Sequence, residues 1–360
     1  MVLYRKYRPQ KISELDNAEI RERLTRVFSS SFIPHALLFA GPKGTGKTSA
    51  ARIIAKVLNC EKRNSGSDLK RAKGLTLADI EPCNLCETCK AITEGRHLDI
   101  IEIDAASNRG IEEIRDLREK IKFAPVSAIY KVYIIDEVHM LTNEAFNALL
   151  KTLEEPPAHA VFILATTEPE KLPETIVSRC IRFNFKKASP SEILGCLERV
   201  VKGEKVNVTP DVLQLIAQTS DGSFRDATKI LEQAILENAL TSEKLNILLG
   251  RQNLSVINFL KLLASRDTGK VLFEIVKMGE NGINFRFLTE ELLYLLHVIP
   301  HAQHGIGKEK ISADLVTLLT KDEISRLIKL FSKVYVDLKT TSIPQLPLEV
   351  AVVEWCERKQ

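Results

Sequence analysis

The sequence predicts an α/β domain with a parallel sheet, followed by two smaller domains built from helices alone. A glycine-rich loop at residues 41–48 lies between a short apolar run and a segment with helical spacing. Apolar runs of strand length then alternate with helical patterns as far as residue 187, which is typical of a parallel sheet. Beyond residue 187 only helical periodicity remains, so we expect the sheet to end there.

The glycine-rich loop reads GPKGTGKT and has the flanks that a phosphate-binding loop needs. A predicted strand at 36–40 leads into it, and a predicted helix at 48–59 points its amino end at the bound phosphates. Lys47 supplies a charge for the β and γ oxygens of ATP, and the Thr48 hydroxyl is a ligand for Mg²⁺. A glycine-rich turn without a nucleotide is the alternative. The residues expected around the phosphates are Gly41, Pro42, Lys43, Gly44, Thr45, Gly46, Lys47, Thr48 and Ser49.

The composition is that of an ordinary globular protein with more than one domain. At 360 residues the chain exceeds the usual single-domain length, and the hydrophobic fraction of 44% is enough for sizeable cores. The net charge of +4 permits nucleic-acid binding without arguing for it. We expect a cytoplasmic protein, because no apolar run has membrane-span length and the first residues lack a signal-peptide core. Seven cysteines, an odd number, favour metal binding or packing over disulfides.

A second element of a nucleotide site follows a strongly apolar run at residues 132–135. This run ends in Asp136 and Glu137, and a later run at 160–165 ends in two threonines, the second of which is Thr167. The carboxyl ends of parallel strands meet at one edge of a sheet, where ligands bind. We expect Asp136 to hold Mg²⁺, Glu137 to deprotonate the attacking water, and Thr167 to contact the γ-phosphate or that water. For Thr167, ordinary capping of the strand is the alternative.

Four cysteines predict a structural zinc site in a polar insertion within the α/β domain. Cys83, Cys86 and Cys89 are spaced by two residues each, and Cys60 completes a tetrahedral set of four thiolates. Four thiols that are merely buried are the alternative. His97 is also close in the sequence and is a possible substitute for Cys60. The Lys- and Arg-rich insertion between Cys60 and Cys83 is interpreted as a solvated loop.

The remaining elements follow from apolar periodicity and from proline and glycine breaks. In the α/β domain we predict helices at 18–30, 111–123 and 143–154 and strands at 98–104 and 181–185. In the next domain we predict helices at 192–201, 210–219 and 223–237. From about residue 245 onward the chain is expected to be helical, with breaks at Pro300 and Pro344.

A basic and aromatic leader at residues 4–9 precedes the first long helix, and Pro9 favours an extended backbone at Arg8. Such a segment is able to lie over an adenine ring, and an exposed basic terminus is the alternative. Arg225 is in the first turn of a predicted helix, where a cation opposes the helix dipole, so we expect it to serve a partner outside that helix. From local chemistry alone, Arg179 is interpreted as a solvated surface arginine.

Several motifs point together to one family. They are EVHML at 137–141, NALLKTLEEPP at 147–157, ATTEP at 165–169, SRC at 178–180, AASN at 105–108 and the four cysteines. In these motifs the chain resembles the gamma/tau subunits of bacterial DNA polymerase III, the clamp-loader ATPases of the AAA+ class. Coverage is dense from Tyr4 to Asp226, whereas residues 245–360 match only in being helical. The resemblance implies an AAA+ domain at 1–187 with a zinc module at about 60–90, a helical lid domain at 188–243 and a helical collar domain for oligomerisation at 244–360.

The resemblance also implies roles for individual residues. Loaders of this family form a pentameric ring with delta-type and delta-prime-type subunits, and ATP lies between neighbours. Arg179 is then an arginine finger for the neighbour's γ-phosphate, Thr167 the first sensor and Arg225 the second sensor in its own subunit. The implied catalytic set is Lys47, Asp136, Glu137, Thr167 and Arg179. The implied nucleotide contacts outside the phosphate loop are Tyr7, Arg8, Pro9 and Arg225.

The implied activity is ATP-driven loading of a sliding clamp onto primer-template DNA within the polymerase III holoenzyme, by a chain that has no polymerase active site itself. A longer form would also bind the polymerase core and the helicase. Arg109, Arg115 and Lys151 are expected to contact DNA phosphates on the inner surface of the ring.

The sequence departs from the family pattern behind the leader. Ile12 stands where the family usually has phenylalanine, and Asp16 and Asn17 replace a usual Gly-Gln pair, which bears on adenine packing rather than on phosphate binding. Two other classes share some of the motifs. A branch-migration or replication-initiation motor has both nucleotide elements but is not expected to have the cysteines and the SRC motif. A non-hydrolysing ring subunit should have a decayed phosphate loop, whereas Lys47 and Glu137 are intact here.

Overall fold

The structure, a computed structural model, describes residues 2–30, 32–64, 76–107, 119–249, 256–304 and 313–357. It divides the chain into two compact units, Met1–Thr241 and Ser242–Gln360. The first contains a five-stranded sheet together with helices, and every element described in the second is a helix. Among the described residues, none of the helices combines the length and apolar character needed to cross a membrane.

The sheet is parallel throughout, as its continuous apolar runs predict. In chain order the strands are β1 (Ala36–Ala40), β2 (Ile100–Asp104), β3 (Lys131–Asp136), β4 (Ala160–Thr166) and β5 (Ile181–Asn184). Across the sheet the order is β2-β3-β4-β1-β5. Ala40 is paired with Thr166 and Asp104 with Asp136, so the carboxyl ends of four strands lie at one edge.

Both faces of the sheet are buried at its three central strands, because successive side chains point to opposite faces and each face meets helices. Leu37 and Phe39 join the core that is shared with Ala18–Phe28 and Lys47–Asn59. Leu38 joins the core on the other face, which is shared with Asn143–Glu154. Shorter α-helices of this unit are Leu3–Lys6, Glu61–Asn64, Leu77–Ile80, Glu87–Glu94 and Glu174–Val177, and 3-10 turns are Val138–Met140 and Pro169–Lys171.

Three helices complete the first unit: Pro190–Glu204, Pro210–Thr219 and Phe224–Leu236. The first begins at a capping box between Ser189 and Glu192, with proline at its first position. Their shared core contains fully buried residues from each helix, namely Leu197, Ile216 and Leu231. These three helices are referred to below as the lid helices.

The second unit is organised around one apolar core. Its helices are Ser242–Leu248, Val256–Ser265, Thr268–Glu280, Phe285–Gln303, Ala313–Val316, Lys321–Asp337 and Leu346–Glu357. Leu292, Leu327 and Phe331 are completely buried in that core. The Trp355 indole donates a hydrogen bond of 2.8 Å to the carbonyl of Leu263, which joins the last helix to the second.

Most predicted elements are confirmed with bounds that differ by a few residues. The predicted helix at 111–123 lies largely outside the described residues. The predicted break at Pro300 is wrong, because the helix Phe285–Gln303 continues through it. A proline inside a helix removes one hydrogen bond, but Ile299 and Ala302 beside it are fully buried, and their packing keeps the last turn helical.

Candidate functional site

A cleft of about 730 Å³ opens at the carboxyl edge of the sheet, within the size range of small-molecule sites. One end is lined by the phosphate loop from Lys43 to Ser49 together with Asp136 and Glu137. The other end is lined by the leader, Leu15, Phe185 and the lid residues Cys196, Phe224, Arg225 and Thr228. The structure therefore brings together most of the predicted site residues.

The phosphate loop has the backbone that its sequence predicts. Gly44 and Gly46 have φ of +80° and +99°, which residues with a Cβ rarely adopt. Lys47 is only 5% exposed, and its ammonium donates to the carbonyls of Gly41 and Pro42 at 2.7 and 2.9 Å. Burial lowers the pKa of Lys47, although the carboxylates of Glu137 and Asp136 act in the opposite direction. The loop thus holds a buried cation where the site can receive an anion.

The acidic pair lies beside the start of the phosphate-loop helix. The Thr48 hydroxyl donates to Asp136 Oδ2 at 2.9 Å, so the two predicted Mg²⁺ ligands are already adjacent. Glu137 has a left-handed backbone (φ +49°), and its Oε2 accepts from both the amide and the hydroxyl of Thr167 at 3.2 and 3.0 Å. Thr167 therefore touches the carboxylate that we expect to act as a base.

His139, which is not among the residues predicted for the site, is buried beside Glu137. The side chain of His139 is 5% exposed, and its Nδ1 is 3.5 Å from Glu137 Oε2 and 3.0 Å from the Thr166 hydroxyl. Its Nε2 is 3.2 Å from Glu168 Oε1. His139 is part of the EVHML motif. Its contacts with Thr166 and Glu168 depend on β3 and β4 being neighbours in the sheet, which sequence patterns do not predict.

The leader lies between the cleft and the lid helices. The guanidinium of Arg225 is stacked over the ring of Tyr4 at 4.9 Å, and Lys6 is paired with Glu204 at 2.7 Å. Tyr7 lies against Gly203, where a Cβ would come within 2.3 Å of the tyrosine hydroxyl oxygen. The leader is therefore packed against the lid rather than being an exposed terminus, and Tyr7, Arg8 and Pro9 line the cleft.

The cleft is electropositive around the leader. Burial lowers the pKa of Arg8, and the nearby guanidinium of Arg52 lowers it further. Arg52 is held by Glu102 through two hydrogen bonds of 2.6 and 2.7 Å. Neither Arg52 nor Glu102 was selected from the sequence, because each is an ordinary charged residue until the sheet brings the two together.

The three departures from the family pattern each have a structural role. Ile12 is completely buried in the core beneath the sheet. Asp16 accepts two hydrogen bonds from Arg199 of the first lid helix, at 2.8 and 2.9 Å. Asn17 caps the helix Ala18–Phe28 by accepting from the amide of Ile20 at 2.9 Å. These three residues thus hold the segment behind the leader to the core, to a lid helix and to the helix that follows.

Arg179 does not line the cleft of its own chain. Its guanidinium donates to Glu154 at 2.7 Å and to the carbonyl of Thr175 at 2.8 Å, and its side chain is one-third exposed. Lys151, in the last turn of Asn143–Glu154, is exposed. Arg109 and Arg115 lie outside the described residues.

The four cysteines form one cluster, in which the sulfur atoms all lie within 4.8 Å of one another. Tetrahedral zinc–thiolate bonds of about 2.3 Å require sulfur separations of roughly 3.8 Å, so the cluster fits zinc. Backbone amides donate to three of the sulfurs: Cys83 to Cys60 at 3.3 Å, Cys86 to Cys83 at 3.3 Å, and Cys89 to Cys86 at 3.4 Å. His97 is outside the cluster and accepts from the amide of Asp99 instead, so it does not replace Cys60.

Lys56 is a second buried lysine, on the helix that begins at Lys47 and ends before Cys60. It is 1% exposed and donates to Gln10 O, Gln10 Oε1 and Asn84 Oδ1 at 2.9, 2.7 and 2.7 Å. Burial lowers the pKa of Lys56 to about 8. Sequence alone does not distinguish Lys56 from a surface residue, because a lysine on a helix is usually solvated.

Several known proteins have sequences similar to this chain. A family profile described as the DNA polymerase III delta subunit matches residues 16–189, and one for the ATPase lid domain of a DNA polymerase III clamp loader subunit matches residues 192–238. The DNA polymerase III subunit gamma of Buchnera aphidicola subsp. Schizaphis graminum is 39% identical over 83% of this chain and 79% of its own length. This chain belongs to the gamma/tau family of bacterial DNA polymerase III subunits.

Other members of the gamma/tau family are longer than this chain. The tau subunit of Bacillus subtilis is 41% identical over 99% of this chain but 63% of its own length. The Escherichia coli tau subunit is 40% identical over 91% of this chain and 49% of its own length. The chain thus spans about half to two-thirds of these relatives. Among solved structures, the RuvB Holliday junction branch migration motor of Thermotoga maritima aligns with a TM-score of 0.47 and 18% identity, over 66% of this chain and 70% of that one.

Proposed function

We propose that this chain is the ATP-driven motor subunit of a bacterial clamp loader, which opens a sliding clamp and places it on primer-template DNA. The observation that carries the proposal is the convergence of Lys47, the Thr48–Asp136 pair and Glu137 at one end of the cleft. The relatives, whose names make them subunits of DNA polymerase III, support a role in chromosome replication. Such a role places the protein in the cytoplasm, at the nucleoid.

ATP is the proposed ligand, with its phosphates at the loop and its adenine at the leader. The loop amides and Lys47 bind the β- and γ-phosphates, and Thr48 and Asp136 hold Mg²⁺, which supplies neutralising charge when bound. Glu137 accepts the proton of the attacking water, and Thr167 orients Glu137 through its amide and hydroxyl. An intact base and phosphate loop favour hydrolysis over a purely structural ring subunit.

Two arginines are proposed to act on ATP from different subunits. Arg225 reaches the cleft of its own chain from a lid helix, which suits a sensor that couples nucleotide to lid position. Arg179 is directed away from that cleft and held by Glu154, which suits a finger for a neighbour's ATP. The proposed neighbours are delta-type and delta-prime-type subunits in a pentameric ring, with an AAA+ domain at 1–187, a lid domain at 188–243 and a collar domain at 244–360.

The experiment is to measure the ATPase activity of the chain with delta-type and delta-prime-type subunits, sliding clamp and primed DNA. We expect stimulation by clamp and DNA, and a loss of about 10³-fold in stimulated turnover in Arg179→Ala with ATP binding retained, the order typical of an arginine finger. Arg182→Ala, at a nearby exposed position, is the control. Activity that is indifferent to primed DNA and to Arg179 would contradict the clamp-loader assignment.

Further proposals concern DNA and metal. Lys151, with Arg109 and Arg115, is proposed to contact DNA phosphates. DNA-stimulated ATPase that is unchanged at moderate salt after mutating all three would refute this.

Cys60, Cys83, Cys86 and Cys89 are proposed to hold a structural zinc ion. Metal analysis should then find about one zinc per chain, and less than half an equivalent in protein purified without chelator would contradict it. Membership in the polymerase holoenzyme, and contacts of a longer form with polymerase core and helicase, are proposals of the same kind.

A further inference from the structure

The segment at residues 10–13, which joins the leader to the rest of the first unit, accepts and donates several hydrogen bonds with side chains at and beside the cysteine cluster. Gln10 is the first residue after the leader, and both its carbonyl and its side-chain oxygen accept from the buried ammonium of Lys56. The three donors of this ammonium have three acceptors at 2.7–2.9 Å, the third being Asn84 Oδ1. Lys56 thus joins Gln10 to Asn84, which lies between two of the clustered cysteines.

A second set of bonds holds the same segment from the cysteine module, defined as Cys60 and residues 76–94. The Glu81 carboxylate accepts from the amides of Ile12 and Ser13 at 3.0 and 2.7 Å. The Thr93 hydroxyl donates to Gln10 Oε1 at 3.2 Å, and the Asn84 amide group donates to the Gln10 carbonyl at 3.3 Å. Residues 10–13 are therefore fixed by the module at four separate polar groups.

The other end of the leader is attached to the lid helices through Tyr7 against Gly203 and Lys6 paired with Glu204. The leader is thus held between two bodies, the lid on one side and the cysteine module on the other. Its residues Tyr7, Arg8 and Pro9 form the wall of the cleft between these attachments. The position of that wall depends on both.

We propose that the cysteine module is a brace for the nucleotide site, in which Lys56 and Glu81 are positioning residues that hold the leader against the nucleoside end of the cleft. The inference rests on the proposed function, since it takes the ligand of the cleft to be ATP. Lys56 and Glu81 are not among the residues that line the cleft. They act through Gln10, Ile12 and Ser13 and do not contact the nucleotide.

Metal binding strengthens the brace through the local backbone and charge. Asn84 has a left-handed backbone with φ of +57°, which the cluster of Cys83 and Cys86 on either side maintains. Four thiolates around a Zn²⁺ ion carry a net charge of about −2, which favours a buried ammonium next to them. If the metal were lost, the thiolates would take up protons from solvent and become neutral thiols, so Lys56 would lose the negative charge beside it, and Asn84 would lose the restraint of its ligated neighbours.

The test measures nucleotide affinity and leader order separately. Lys56→Met removes the ammonium at nearly constant length, and Glu81→Gln removes one acceptor from the opposite side without burying a new apolar group. Lys90→Met is the matched control, because Lys90 is an exposed lysine on the module helix Glu87–Glu94. Three quantities are compared with the wild type: the Kd of a fluorescent ATP analogue and of its ADP counterpart, zinc content, and hydrogen exchange of the Ile12 and Ser13 amides.

The brace predicts that both variants bind the ATP and ADP analogues about tenfold more weakly and by the same factor, because the leader lies at the nucleoside end. A leader in the competent position about one-tenth of the time lowers apparent affinity by that fraction. Zinc content stays at the wild-type level, exchange of the Ile12 and Ser13 amides accelerates, and KM for ATP in the assembled loader rises with kcat unchanged. Removal of zinc by a chelator accelerates the same two amides.

Wild-type affinity in Glu81→Gln would overturn the brace, and so would an effect no larger than that of Lys90→Met. If Lys56→Met fails to fold, Glu81→Gln alone decides the question. Lys47→Ala separates this inference from the proposed function. A wild-type chain that binds ATP no better than Lys47→Ala refutes the nucleotide assignment and the brace with it. A wild-type chain that does bind leaves only the brace to be judged by its variants.

Discussion

The two ends of the cleft are built on different principles. At the phosphate end, the loop, Asp136 and Thr167 follow directly from strands of one parallel sheet, so backbone hydrogen bonds set their positions. At the nucleoside end, the leader follows no strand and is held by side chains from the lid helices, the phosphate-loop helix and the cysteine module. The phosphate end is thus positioned by secondary structure, and the nucleoside end by tertiary contacts.

Turnover and affinity are expected to depend on different ends of this cleft. Chemistry requires groups placed to within a fraction of an ångström, which a rigid sheet edge supplies. ATP affinity is more easily adjusted at the nucleoside end, where a few hydrogen bonds and ion pairs hold the leader. Loss of one of them lowers the fraction of molecules in which the leader is in the binding-competent position. Changes at the first end should alter turnover, and changes at the second should alter binding.

The largest expected effect is on turnover, from Glu137→Gln. The amide keeps the shape of the side chain and a hydrogen bond to Thr167 but cannot take a proton, so we expect hydrolysis to fall by about 10²–10⁴-fold with ATP affinity nearly unchanged. Steady-state ATPase rates and equilibrium binding of ATP measure the two quantities. Glu170→Gln, at an exposed carboxylate on the connection that follows β4, is the control. A loss of ATP affinity equal to the loss of rate would show that Glu137 serves binding and not the chemical step.

The next effect in size is on stability, from Asp99→Asn at the opposite edge of the sheet. Asp99 is completely buried and accepts from the amides of Val126, Ser127 and Ala128 at 2.8–2.9 Å. An amide offers one acceptor oxygen and no charge, so we expect the free energy of unfolding to fall by about 2–3 kcal/mol. Urea denaturation measures this. Unaltered ATP affinity per folded molecule is also expected, because Asp99 is remote in the sheet from the cleft edge.

The pH dependence of the same contact follows from its pKa. Burial raises the pKa of Asp99, but the backbone amide donors outweigh burial and leave the pKa below its usual value. A depressed carboxyl pKa contributes stability above the unfolded value of about 3.9, and that contribution is lost as the pH falls through the folded pKa. The gap in stability between wild type and Asp99→Asn should therefore be constant from pH 5 to 8 and close below about pH 4. A gap that widens in acid would refute the ionised role.

The smallest expected effect, from Asp16→Asn, tests the nucleoside end. Asp16 is joined to Arg199 of the lid, whose side chain is 38% exposed, so solvent screening limits the loss to about 1 kcal/mol of unfolding free energy. We also expect ATP affinity to fall by a factor of about three, with kcat unaltered. Glu22→Gln breaks the fully solvated pair with Arg26 and serves as the control, with no measurable change expected. A fall in kcat would place Asp16 with the chemistry instead.

Sequence patterns predicted the phosphate end of the site well and the nucleoside end poorly. Lys47, Thr48, Asp136 and Glu137 were identifiable because the backbone geometry they need restricts nearby residues to glycine or to strand formers. The three central strands are predictable because two buried faces make continuous apolar runs, whereas β2 and β5 mix apolar with exposed polar residues. The sequence also predicted the cysteine cluster, since its ligand spacing reflects tetrahedral geometry.

The contacts that escaped prediction join residues distant in the chain. Lys56 looks like a solvated helix lysine until residue 10 and residue 84 are brought to it. Arg199 and Asp16 are separated by the whole α/β domain, and nothing local to either one specifies the pair. Pro300 was misjudged for a related reason, because the propensity of one residue was outweighed by packing of its neighbours in the second unit.

Gly44 of the phosphate loop lies against the start of a lid helix. A Cβ on Gly44 would lie 2.0 Å from the Ser223 hydroxyl oxygen, so the loop touches the residue that caps the lid helix Phe224–Leu236. That helix of 13 residues is about 20 Å long, so a rotation of roughly 10° at the capped end displaces its far end by about 3.5 Å. Gly44 is therefore the point at which the phosphate loop meets the start of this lid helix. A displacement of the loop at Gly44 would therefore be enlarged at the far end of this lid helix.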